Sequence, residues 1–157
     1  MFLLDTNVVS ELRKRTADAN VLRWSRTQMA SSLFISSITI LELETGILRI
    51  ERRDPTQGAV LRMWLDQHVL KAFAGRILTV DTQVARRCAQ LHVPDPRSEC
   101  DALIAATALV HGMTVVTRNT MDFQSSGVAL LNPWVSQLNE EAAVYHVHHV
   151  ERGYEPA

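Results

Sequence analysis

The sequence predicts an α/β fold: a mostly parallel sheet of about five strands, covered by helices on both faces. Three observations carry this. Short apolar runs alternate with longer stretches whose apolar residues recur at helical spacing. The runs are short and rich in apolar or β-branched residues, as strands buried on both faces are. Several are followed directly by residues that cap helices, such as Asp5 after Phe2-Leu3-Leu4.

The elements follow in order. Phe2 to Leu4 is a strand, and Val8, Val9 and Leu12 then mark a helix. A second helix covers about Ala17 to Ala30, with Val21, Leu22 and Trp24 as its apolar positions. Leu33 to Ile35 is the next strand; Ser36-Ser37 can cap a helix from Ile38 to Arg53. Asp54-Pro55 ends that helix and starts another running to about Phe73, after which Gly75 makes a turn. Ile77 to Val80 is the third strand, and Asp81 caps a helix from about Thr82 to His92. Pro94-Asp95-Pro96 interrupts the chain before a small-residue helix from Glu99 to His111, with Gly112 as its left-handed C-cap. Thr114 to Thr117 is a β-branched strand, Arg118 to Ser126 a polar loop, and Val128 to Leu131 a last short strand. Residues 1–134 are thus expected to form one domain, and 135–157 a C-terminal tail or docking extension that includes His146 to His149.

Composition agrees. At 157 residues, 46% hydrophobic and 21% charged, the chain has the makeup of one globular domain and not of a disordered segment. Two cysteines, Cys88 and Cys100, form no disulfide framework and no metal-ligand spacing. Neither a signal peptide nor a membrane span is expected, and a reducing cytoplasmic setting fits. The net charge of −1 hides an asymmetry, because residues 1–93 sum to +4 and residues 94–157 to −5. Fourteen of the sixteen bases are arginine, a side chain suited to bidentate phosphate contacts.

The placement of acids relative to this pattern is the informative feature. Asp5 sits at the carboxyl end of the first strand, where parallel sheets form their ligand crevice, although an Asp there also serves as a helix cap. Glu42 and Glu44 stand about 200° apart on a helix, so one of them must turn toward the apolar side. Thr39 and Glu42 have capping-box spacing, but Ser36-Ser37 places the cap earlier and Glu42 inside the helix. Asp101 opens the small-residue helix, where the dipole alone would favour it beside Glu99. Asp122 follows the strand Thr114 to Thr117, in a place where a solvated loop acid is ordinary. Singly, none of these carboxylates decides anything.

In order, they resemble a known pattern. Leu3-Leu4-Asp5-Thr6-Asn7-Val8-Val9-Ser10-Glu11, Ile38-Thr39-Ile40-Leu41-Glu42-Leu43 with Gly46, and Phe73-Ala74-Gly75-Arg76-Ile77-Leu78 are followed by Asp101-Ala102-Leu103-Ile104-Ala105-Ala106-Thr107-Ala108. Thr114 to Asn119 with Asp122-Phe123, and Asn132-Pro133-Trp134, complete it. Over about residues 1–134 this resembles the PIN-domain ribonucleases, and within them the VapC/FitB-like toxins of type II toxin-antitoxin systems.

The resemblance implies a PIN-like fold whose acidic cluster binds Mg²⁺ or Mn²⁺ and cleaves RNA phosphodiesters. Asp5, Glu42 and Asp101 carry over as acidic-site residues, with Asp5 and Asp101 as direct metal ligands. At the fourth position some relatives have Asp where this chain has Asn119; others have this Asn with an acid three residues on, as Asp122 is here. Thr6, Asn7, Thr117 and Asn119 are expected as supporting neighbours. The resemblance also implies a cognate antitoxin lying in the groove, a toxin homodimer, a heterotetramer or larger with antitoxin, and operator DNA contacted through the antitoxin. Converging carboxylates need a cation to offset their repulsion, and hard oxygen ligands select Mg²⁺ or Mn²⁺ over Zn²⁺.

Two other classes are weighed against this. A haloacid-dehalogenase-type phosphatase also starts with a strand ending in Asp, but it wants a second Asp where Asn7 stands. A catalytically silent PIN-like module, binding RNA or protein, would have lost Asp5, Glu42 or Asp101, and all three are present. The apolar residues Trp24, Leu41, Leu48 and Trp64 are expected mainly in the core, with a groove or dimer face as the other possibility.

Overall fold

A computed structural model describes residues 1–135; residues 136–157, which hold the His146 to His149 group, lie outside the described residues. Five strands, β1 (Phe2–Leu4), β2 (Leu33–Ser36), β3 (Ile77–Leu78), β4 (Thr114–Val116) and β5 (Leu130–Leu131), lie in the order β3-β2-β1-β4-β5. All the pairings are parallel. The helices are α1 (Thr6–Arg13), α2 (Ala19–Thr27), α3 (Ser37–Arg53), α4 (Pro55–Trp64), α5 (Leu70–Ala72), α6 (Thr82–Leu91), α7 (Glu99–His111) and α8 (Thr120–Gln124).

Strand pleating divides the core in two. Leu3 and Val115 face one way and pack with Val84, Cys88, Ile104, Ala105 and Phe123 from α6, α7 and α8. Leu4, Ile35 and Val116 face the other way and pack with Val8, Trp24, Leu43, Ile47 and Leu61 from α1 to α4. The α/β fold with helices on both faces is therefore as predicted. So is Gly112, which caps α7 at φ 63°. Among the described residues no helix is long and apolar enough to cross a membrane.

Local departures have physical causes. The helix expected from Pro55 to Phe73 runs through to Ala72 but changes register on the way: α4 passes into a π-helical turn over Leu65–Val69 before α5. Leu61, Leu65 and Val69 stay buried across this turn, so the apolar spacing carries no sign of it. The expected loop Arg118 to Ser126 contains α8. The third and fifth strands are shorter than predicted, at two residues each. Trp24 is buried, against Phe2 edge-on, and Trp64 is half-buried, whereas Leu41 and Leu48 on α3 are about half exposed and not core.

Two features fasten the helices that flank the site. α3 and α4 approach closely at Gly58, where a Cβ would fall 2.6 Å from the Glu51 Cα, and Arg62 bridges Glu44 at 2.5 Å and Glu51 at 3.1 Å. Between α1 and α2, the buried Glu11 carboxylate accepts from Lys14 Nζ at 2.6 Å and from the Asp18 backbone N–H at 2.9 Å. Lys14 first, then the Asp18 N–H, hold the Glu11 carboxyl below its ordinary value of 4.5. A depressed carboxylate contributes stability above that value and loses it as pH falls through the lower folded one. Glu11→Gln is therefore expected to cost about 1–2 kcal/mol at pH 7. In urea melts that difference should shrink as pH drops below 4.5; a pH-independent difference would refute the charge assignment.

Candidate active site

β1 lies between β2 and β4, and the chain builds outward from it in both directions, so the crevice beyond the carboxyl ends of β1 and β4 is a topological switch point. Asp5 leaves β1 there, with its backbone N–H on Val116 O at 3.0 Å. Its side chain is 6% exposed. Oδ1 accepts from the Thr6 backbone N–H at 2.7 Å, which makes Asp5 the N-cap of α1. Oδ2 accepts from Asn7 Nδ2 and from the Thr117 hydroxyl, both at 2.8 Å. Asp5 thus caps α1 and stands in the crevice at once. Three donors fix a buried carboxylate at the mouth of the sheet.

Glu42 comes from α3. Ser36 is the N-cap of that helix, accepting from the Thr39 N–H at 3.1 Å, so Glu42 falls inside the helix as the spacing predicts. Its carboxylate accepts from the Thr6 hydroxyl. Glu44, two residues on, pairs with Arg62 instead, as the 200° separation requires. Asp101 lies in the first turn of α7, half-buried, and accepts no hydrogen bond among the described residues. Burial, partly offset by the Thr117 hydroxyl and the Thr6 N–H, pushes the Asp5 carboxyl up; the charges of Glu42 and Asp101 push it further the same way. No Arg or Lys forms an ion pair with Asp5, Glu42 or Asp101 among the described residues.

The fourth position divides between two residues. The Asn119 backbone N–H donates to Thr117 Oγ1 at 3.0 Å, which ties the start of α8 to the Asp5 network, while its side chain is exposed. Asp122 is exposed in the first turn of α8; its carboxylate makes no hydrogen bond to the cluster among the described residues, and its charge is not one of those raising Asp5. The structure thus brings together Asp5, Glu42, Asp101, Thr6, Asn7 and Thr117, and leaves Asp122 at the rim. Sequence reasoning gave no site role to Thr39, a fully buried residue whose hydroxyl reaches Leu4 O at 3.4 Å and ties α3 to the end of β1. A Thr one turn into a helix that follows a strand was the available signal.

The donor set suits a hard cation: carboxylate oxygens with no basic partner among the described residues. Among the described residues no three His, Cys, Asp or Glu side chains stand close enough together to hold one ion between them.

The PIN domain family matches residues 2–125, and the chain belongs to it. The VapC ribonuclease Y4jK of Sinorhizobium fredii is 39% identical over 139 residues, spanning 85% of this chain and 98% of that protein. FitAcB from Neisseria gonorrhoeae has a crystal structure similar to this one at a TM-score of 0.80 and 36% identity, covering 87% of this chain and 100% of that one. A toxin-antitoxin complex from Klebsiella pneumoniae is similar at a TM-score of 0.62 and 25% identity, over 87% of this chain and 100% of that one.

Proposed function

We propose that residues 1–134 form a metal-dependent endoribonuclease, the toxin of a toxin-antitoxin pair, acting in the cytoplasm and neutralised by a cognate antitoxin. One observation carries the catalytic reading: Asp5, buried and held by three donors, shares its crevice with Glu42 and Asp101 and no countercharge among the described residues. Family membership and the likeness to a VapC ribonuclease support RNA as the substrate.

In this reading Asp5 and Asp101 hold Mg²⁺ or Mn²⁺. The bound cation supplies Lewis-acid stabilisation of charge developing on the phosphodiester and a more acidic water. The chain's own residues do the positioning. Thr117 and Asn7 lock the rotamer of Asp5, so little ordering is left for the moment of reaction. Thr6, held at the N-terminus of α1, aims Glu42 at the crevice, where it orients the attacking water and takes its proton. Asn119 orients a ligand or water at the rim, and Asp122 adds the outermost negative charge. The half-exposed Leu41 and Leu48 on α3 suit an antitoxin segment or a second copy of the chain better than solvent. Operator DNA is reached through the antitoxin.

Purified free of its partner, the protein is expected to cleave single-stranded RNA with Mg²⁺ or Mn²⁺ and to stop with EDTA. Mg²⁺ should also raise the thermal midpoint of the wild-type chain and leave that of Asp5→Asn unmoved, since a ligand stabilises only the state that binds it. Cleavage that persists in EDTA would overturn the metal assignment. RNA binding without cleavage would favour the silent module.

A further inference from the structure

Arg118 follows Thr117 directly, and its main chain is tied to the site from both sides. Its N–H donates to Asn7 Oδ1 at 3.3 Å, and Asn7 Nδ2 donates to Asp5 Oδ2 at 2.8 Å, so a single side chain couples Arg118 to the central carboxylate. On the other side Asn132 Nδ2 donates to Arg118 O at 3.5 Å while Asn132 Oδ1 accepts the Trp134 N–H at 3.0 Å. Asn20 Nδ2 donates to Trp134 O at 3.0 Å and so fastens Trp134 to α2. The Arg118 guanidinium lies over the Trp134 ring, 5.5 Å from its centroid.

The arginine on this platform is exposed and makes no ion pair among the described residues. Glu11 feels its charge but already accepts from Lys14 and Asp18. A stacked guanidinium has lost little of its hydrogen-bonding edge and much of its rotamer freedom, which suits a planar fork waiting for an oxyanion. Any RNA strand crossing the crevice carries a phosphate at every nucleotide, so one falls beside the residue next to Thr117.

We propose that Arg118, held on Trp134 and tied through Asn7 to Asp5, is a phosphate-binding residue that grips the RNA backbone beside the scissile bond, with Trp134 as its positioning residue. This rests on the ribonuclease reading and assigns it a substrate contact. The alternatives are a purely structural clamp between β4 and α2, and a contact for a partner protein's carboxylate.

The test measures binding of a labelled single-stranded RNA to proteins carrying Asp101→Asn, which suppresses cleavage, and steady-state cleavage by proteins with Asp101 intact. Arg118→Gln should weaken RNA binding and raise KM about tenfold, with kcat changed less than about threefold. The slope of log affinity against log salt should fall by about 0.7, the share of one phosphate on a single strand. Arg118→Lys should keep the slope and lose only part of the affinity. Unchanged KM, affinity and slope in Arg118→Gln, while wild type cleaves, overturn this inference alone. So does an Arg118→Lys variant as weak as Arg118→Gln, which marks a packing role, or a loss confined to antitoxin binding. Arg118-dependent RNA binding by a chain that cleaves nothing would instead sink the catalytic reading and leave the phosphate contact standing.

Discussion

Asp101→Asn is expected to lower RNA cleavage on the order of 10³-fold with the fold intact, because it weakens the hold on the cation that would meet charge developing in the transition state, and losing such stabilisation costs on that scale. Asp101 is a cleaner target than Asp5. It accepts no hydrogen bond among the described residues, so the change removes charge and little else. Asp5→Asn is expected to silence the site too, but an amide in place of either oxygen would meet a donor, the Thr6 N–H at one or Asn7 Nδ2 and the Thr117 hydroxyl at the other, and so would disturb the hydrogen-bond network as well. Glu44→Gln is the matched control, since Glu44 is bound to Arg62 on the far side of α3 and cleavage should stay within about twofold. The measurements are initial rates on one RNA with thermal midpoints for each variant. Asp101→Asn keeping a tenth of wild-type activity at an unchanged midpoint would remove Asp101 from the catalytic set.

The position of Asp5 was legible in the sequence because a parallel sheet leaves few choices, whereas its role with Glu42 and Asp101 came from the resemblance. A short apolar run must be buried, its carboxyl end must face the crevice, and the residue there must cap the next helix, so Asp5 has one place to be. Helix geometry showed only that Glu42 and Glu44 cannot share a face; the choice of Glu42 came from the resemblance, and the chain ties the two to Thr6 and Arg62 respectively. What stayed hidden depends on contacts distant in sequence. The platform of Asn7, Arg118, Asn132 and Trp134 joins segments more than a hundred residues apart, and no local pattern announces it. The net charge of −1 concealed more than it told. Setting aside Asp5, Glu42, Asp101 and Asp122 leaves a net charge of +3 on the rest of the chain.

Phe123→Ala is expected to destabilise the protein by about 4 kcal/mol, within the range for emptying a buried aromatic site and a large share of what a domain this size has. Phe123 is 1% exposed and packs in the cluster with Ile104, Val115 and Val128. Its carbonyl accepts from the Ser126 N–H at 2.9 Å and the Ser126 hydroxyl at 2.5 Å, closing the end of α8. A five-residue helix has no stability of its own, which is why a polar stretch gave no sign of it. Phe123 is what makes α8 a helix, and α8 carries Asn119 at its cap and Asp122 in its first turn. Phe123→Leu, which keeps most of the volume, should cost about 1.5 kcal/mol or less. Urea melts measure both, and a loss below about 1 kcal/mol for the alanine variant would mean α8 is held by other contacts. Cleavage by Phe123→Ala, assayed in the cold where it stays folded, then separates two roles for the rim. Activity below the folded fraction assigns Asn119 and Asp122 to the site, whereas activity equal to it leaves catalysis to Asp5, Glu42 and Asp101.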